Sequence, residues 1–172
     1  MKIDKKQELV KVLTSLLGDL NTPICVWEQY ELQPSFHEPN NKVFRQGVYR
    51  MCIHAIVIAL YKYVETNNKY NKELNSYVPD HKPRMDKLVN VINRDRGVRD
   101  FRNNSVAHIQ NNSEKRALTH DEIDLQVEKL LKEDIHQFFF WLRDKSDWVR
   151  EASEPKGVIK QIEDMRNQLR DN

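Results

Sequence analysis

Asn40-Asn-Lys-Val-Phe-Arg-Gln-Gly-Val-Tyr-Arg-Met-Cys-Ile-His-Ala-Ile-Val-Ile-Ala-Leu-Tyr-Lys-Tyr-Val-Glu65 is the stretch that decides the fold. Phe44, Val48, Met51, Cys52, Ala55, Ile56, Ala59 and Tyr63 recur at steps of three and four, the period of a helix face and not the alternation of a strand. Ile53, Val57, Ile58 and Leu60 widen the apolar arc, so the helix is expected to be covered on more than one side. Asn40-Asn41 offers a cap where it starts.

Working outward, Leu9, Val12, Leu13, Leu16 and Leu17 form one stripe and predict a helix over residues 4–19. Asn21-Thr-Pro23 is expected to interrupt it before a second piece, 24–32, that carries Val26, Trp27 and Tyr30. Beyond the central helix, Thr66 to Pro83 reads as a long polar loop with one turn of helix at most. Helix resumes at Pro83 through Met85, Leu88, Val89 and Ile92, and Gly97 should kink it before Val98, Phe101, Ser105 and His108. Thr119-His-Asp-Glu122 has the form of a capping box and opens a helix along Ile123, Val127, Leu130, Leu131, Ile135, Phe138, Leu142 and Val149. The run Phe138-Phe-Phe-Trp141 is more apolar than one helix face buries, which predicts contact outside the bundle, for example with a second subunit. Ser153-Glu-Pro-Lys-Gly157 breaks the chain before a last helix with Ile159, Ile162, Met165 and Leu169. The expected architecture is all-α: one domain over 1–172, a bundle of about five helices, with its core over about 1–150 and a C-terminal helix over about 155–170.

Composition agrees. A chain of 172 residues with four glycines and six prolines has few turns to offer, which disfavours a sandwich of short strands. Net charge is only +2, yet the segment from Asp80 to His120 holds nine Lys/Arg against five Asp/Glu, a local +4 of the kind a phosphate backbone recruits. Cys25 and Cys52 are too few for a disulfide framework and are expected as buried free thiols in a reducing compartment. The N-terminus lacks a secretory apolar run, and Met51 to Val64 falls short of a membrane span. A cytoplasmic protein without a membrane partner is the expectation.

The chemistry-bearing letters are Arg102 and His108. With 12 arginines and 6 histidines, about one Arg-x(4–6)-His pair is expected by chance, so the spacing alone carries nothing. Its context is informative: Asn103 follows the arginine, Ala107 precedes the histidine, and a capped amphipathic helix comes next. Arg99-Asp-Phe-Arg-Asn-Asn-Ser-Val-Ala-His108 resembles the Arg-polar-x(4–6)-His signature of the HEPN superfamily, most closely the Arg-Asn…Ala-His form of abortive-infection and toxin members. The order of helices over about 40–150 follows that superfamily more loosely.

The resemblance implies a HEPN-like helical bundle, usually dimeric, acting as a metal-independent endoribonuclease of the toxin or phage-defence kind on an RNA substrate. The residue types suit that reaction. Histidine moves protons near neutral pH, and arginine stays charged and grips phosphate oxygens. His108 is then the acid–base group, Arg102 the charge on the phosphorane, and Asn103 an orienting group. Arg96 and Arg99, each three residues from the next arginine, would track the RNA phosphates. On an ideal helix Arg102 and His108 stand roughly 120° apart, which points to a distorted helix or a site shared by two subunits. Glu133-x-x-His136 is half of a di-iron motif without its other half, and no phosphate-binding glycine loop or paired cysteine motif is present, so neither metal nor cofactor is expected. The alternatives are a catalytically silent HEPN module partnering a nucleotidyltransferase and a helical oligomerisation protein. An antitoxin is a further partner of the toxin reading.

Overall fold

Two long antipodes of the apolar pattern set the frame: helix α1 (Lys5–Glu31) and helix α2 (Lys42–Lys69) pack against each other. The computed structural model describes residues 4–106, 110–111, 116–117, 119–143 and 157–171. Asp4 caps α1, its side chain accepting from Lys6 N at 3.0 Å. Contrary to expectation, Pro23 does not divide this helix. An interior proline costs about 3 kcal/mol. Against that, Leu20, Pro23, Ile24 and Trp27 lie buried on the same stripe as Leu9, Leu13 and Leu16, so packing outweighs the lost backbone bond.

Two short 3₁₀ turns, Pro34–His37 and Pro39–Asn41, lead into α2. Phe36 is buried there with its ring centroid 5.6 Å from those of Trp27 and Tyr30. Asn41 precedes α2 as expected but does not cap it with its side chain, which donates instead to Ser35 O at 2.7 Å. The far end of α2 runs past Glu65 to Lys69, and α3 (Asn71–Tyr77) fills much of the stretch expected as loop, anchored by buried Leu74.

The remaining elements are α4 (Lys82–Asn90), a π-helical turn Val91–Asp95, α5 (Val98–Phe101), a second π-helical turn Arg102–Val106, α6 (His120–Leu131), α7 (Ile135–Arg143) and α8 (Val158–Asp171). Gln110–Asn111 and Arg116–Ala117 form a two-residue antiparallel pairing, too small to make a layer, and the fold is all-α. Eight α-helical segments stand among the described residues where about five were expected, because breaks at Gly97 and Lys132 subdivide two longer ones and α3 forms in the stretch expected as loop. The capping box at Thr119 is formed, with Glu122 returning to the Thr119 backbone. The helix it opens stops at Lys132, whose φ of 66° is left-handed, and Asp134 caps α7 through the backbone N–H groups of His136 and Gln137. Val149 lies outside the described residues.

The C-terminal helix is no appendage. Val158, Ile162, Met165 and Leu169 join the same core as Leu9 and Leu60, and α8 packs on α1 and α7. The Phe138–Trp141 run also turns inward: Phe138, Phe139 and Trp141 are buried within the chain, so their apolar character does not require a second subunit. By contrast Phe44 and Met51, expected on the buried face of α2, are 50% and 56% exposed. Cys52 is buried as expected, whereas Cys25 is exposed, one position off the buried stripe of α1. By length and composition α1 and α2 could each cross a membrane, α2 being longer than its Met51–Val64 run; core helices of a soluble bundle pass the same test. Here both turn apolar faces into the shared core, and Lys62 Nζ meets Asp19 Oδ2 at 2.9 Å between them.

Candidate functional site

The segment from Val91 to Val106 is shaped by its glycine and its two wide turns. Gly97 has φ 61° and ψ 27°, and a Cβ there would stand 3.0 Å from Lys129 Cδ and Cε. Both features favour glycine. The kink expected at this position is therefore real. It directs Val98 and Phe101 into the core, where Phe101 meets the ring of His54 edge to face at 6.0 Å. Arg102 then opens the second π turn, whose i→i+5 pattern replaces the ideal helix on which the angle between Arg102 and His108 was reckoned. His108 lies outside the described residues.

Arg102 is half-buried. Its guanidinium carbon sits 4.8 Å from the centroid of the Tyr61 ring, and Nη1 donates to Asn103 Oδ1 at 2.9 Å. Asn103 thus touches the arginine it was expected to orient. No carboxylate pairs with Arg102 among the described residues, although Asp95 and Asp100 are near in sequence.

The expected phosphate-tracking row is broken at its first member. Arg96 is 3% exposed, donates from Nη1 to Leu130 O at 2.6 Å, and lies over the Trp141 ring at 3.9 Å. It ties the kinked segment to α6 and α7 and does not reach the surface. The reason is that Gly97 reverses the backbone right after it, so the three-residue spacing no longer means one face. Arg99, beyond the kink, is exposed.

Three neighbours of the segment escaped sequence reasoning or were left at its margin. His54 and Tyr61, seven residues apart on α2, lie two turns apart on one face, and this spacing was the available signal. Burial lowers the pKa of half-buried His54, and the charge of Arg50 adds to the effect. Beside Tyr61 opens a groove of about 1170 Å³ between α1, α2 and the motif segment, lined by Lys11, Lys62, Lys69 and Arg99 among others. Its cations come from three separate elements, so no local pattern in the sequence announces it.

No family model matches the chain, and no curated protein matches it. Among solved structures it is similar to the integron cassette protein Vpc_cass2 from the mobile metagenome of V. paracholerae, with 29% identity and a TM-score of 0.77. The likeness covers 99% of this chain and 98% of that one, so it includes α8 and the motif segment as well as the two long helices.

Proposed function

We propose that the chain is a metal-independent endoribonuclease of the HEPN toxin or phage-defence kind, working in the cytoplasm as a homodimer. The observation that carries this reading is Arg102: a half-buried guanidinium held by Asn103 and Tyr61, with no carboxylate neutralising it among the described residues. Arg96, which serves the fold, is 3% exposed against Trp141, whereas Arg102 is only half-buried. An arginine held by an amide and a ring keeps most of its N–H donors available for a phosphate.

In this scheme a histidine draws the proton from a 2′-OH, the 2′-oxygen attacks phosphorus, and the 5′-oxygen leaves with a proton supplied by an acid. The products are a 2′,3′-cyclic phosphate and a 5′-hydroxyl. Arg102 offsets the charge on the phosphorane and Asn103 fixes its orientation. His108 supplies one proton-transfer group per chain, and a two-fold partner supplies the second.

The dimer finds support on α2. Phe44, Met51 and Ile58 recur every seven residues and are 50%, 56% and 41% exposed, beside the line of His54 and Tyr61 that the motif segment covers. Such an apolar stripe is the seam along which helices pair. The same stripe favours the second reading, a silent HEPN module that binds a nucleotidyltransferase or merely oligomerises. Incubating RNA with pure protein in EDTA, beside a His108→Ala control, separates them. Cleavage by the wild type alone supports the nuclease, and intact RNA in both supports the binding module.

A further inference from the structure

We propose that the groove between α1, α2 and the motif segment seats single-stranded RNA, with Tyr61 joining it to Arg102. This rests on the ribonuclease reading and assigns the substrate's path. The groove has four cations, Lys11, Lys62, Lys69 and Arg99, against two carboxylates, Asp19 and Glu65. Asp19 is already met by Lys62 at 2.9 Å. Lys69 is steadied by Glu8 at 3.5 Å and by the Tyr70 ring at 4.8 Å. Lys11 and Arg99 are exposed and carry no partner among the described residues, so their charge is open to a ligand.

One accessible aromatic ring stands among these cations. Tyr61 lines the groove half-buried, whereas Tyr70, 2% exposed just past the end of α2, braces Lys69 and offers no free face. Rings on which bases stack, set in a cationic groove, are the means by which proteins hold single strands without reading a duplex. Width argues the same way. Packed helices have axes about 8–10 Å apart, so the depression between two of them admits one strand and not a double helix. Tyr61 belongs to both features, lining the groove and carrying the Arg102 guanidinium on its face. A strand lying along α2 is thereby delivered to the arginine.

The test uses the full chain carrying His108→Ala, in EDTA, so that binding is read without turnover. A labelled 12-nucleotide single strand and the same strand annealed to its complement are titrated by fluorescence anisotropy at several salt concentrations. The single strand should bind at least tenfold more tightly than the duplex. Lys11→Glu and Arg99→Glu, added singly, should each weaken that binding about tenfold and flatten the slope of log K against log salt by about 0.7. Lys87→Glu, an exposed change on α4 outside the groove, should leave it unaltered. Equal affinity for the duplex, or a loss no greater than that of Lys87→Glu, overturns the proposal. Failure of the ribonuclease reading has a different signature: the wild-type chain leaves RNA intact while the groove variants still weaken binding, which supports the groove.

Discussion

The guanidinium of Arg96 lies 3.9 Å above the centre of the Trp141 ring, with Nη1 on the carbonyl of Leu130 at 2.6 Å. That one side chain fastens the segment before the motif to the end of α6 and, through Phe138 and Trp141, to α7. It acts on stability, which separates it from Arg99, three residues on. Arg96→Ala should lower unfolding stability by about 2–4 kcal/mol, through the lost charge-assisted bonds and ring contact. Arg96→Lys should recover only part, because an ammonium lacks the planar fork. Urea denaturation measures both. A loss below about 0.5 kcal/mol for Arg96→Ala would return it to the surface role first expected of it.

Chemistry at the motif has its own signature. Arg102→Ala and His108→Ala should each reduce RNA cleavage by at least about 10²-fold. Products of the wild type should end in 2′,3′-cyclic phosphate and 5′-hydroxyl, resolved by end-labelling and mass spectrometry. Cleavage that depends on Mg²⁺, or that survives both substitutions, would falsify the mechanism.

Pairing along α2 can be broken without touching the motif. Met51→Lys and Ile58→Lys should convert a dimer into a monomer in light scattering at micromolar concentration. Cleavage should fall with it although Arg102 and His108 are unchanged. Mixing His108→Ala chains into wild type should depress activity beyond simple dilution. A fully active monomer refutes the shared site.

His54 predicts a dependence on pH. Its folded pKa lies below the ordinary 6.5 because burial disfavours the cation, so the unfolded chain binds more protons as pH falls below that value. Its contribution is complete above 6.5 and is lost progressively below it. The urea midpoint should therefore drop between about pH 7.5 and pH 5.5, and drop less in His54→Gln. Equal drops in the two proteins would exclude His54 as a source.

Much of the fold was legible because apolar spacing is a local record of burial. The face of α2 through Val48, Cys52, Ile56 and Tyr63 and the capping box at Thr119 are formed as read. What escaped was set by tertiary context. Pro23 signals a break, but the stripe that buries it continues on both sides. Lys132 gives no sign of a left-handed residue, and the stop of α6 follows from Asp134 capping α7. At the site, Arg96 and Arg99 look alike as letters; only the turn at Gly97 sends one inward and leaves the other outside. The groove was illegible for a simpler reason, since Lys11 and Arg99 line it from positions 88 residues apart in the chain.

The two π turns, Val91–Asp95 and Arg102–Val106, have a consequence for how this segment tolerates gain or loss of a residue. A turn closed i→i+5 holds one residue more than an α-turn, and deleting that residue lets the backbone tighten instead of breaking. A single deletion within 104–106 would shorten the interval from Arg102 to His108 by one residue while leaving Arg102 on Asn103 and Tyr61. A single deletion within 91–95 would instead tighten the turn before Gly97 and keep the interval from Arg102 to His108 intact. The chain thus holds spare length on each side of Gly97, so the interval between the two motif residues can change by one residue without breaking the helix that carries Arg102.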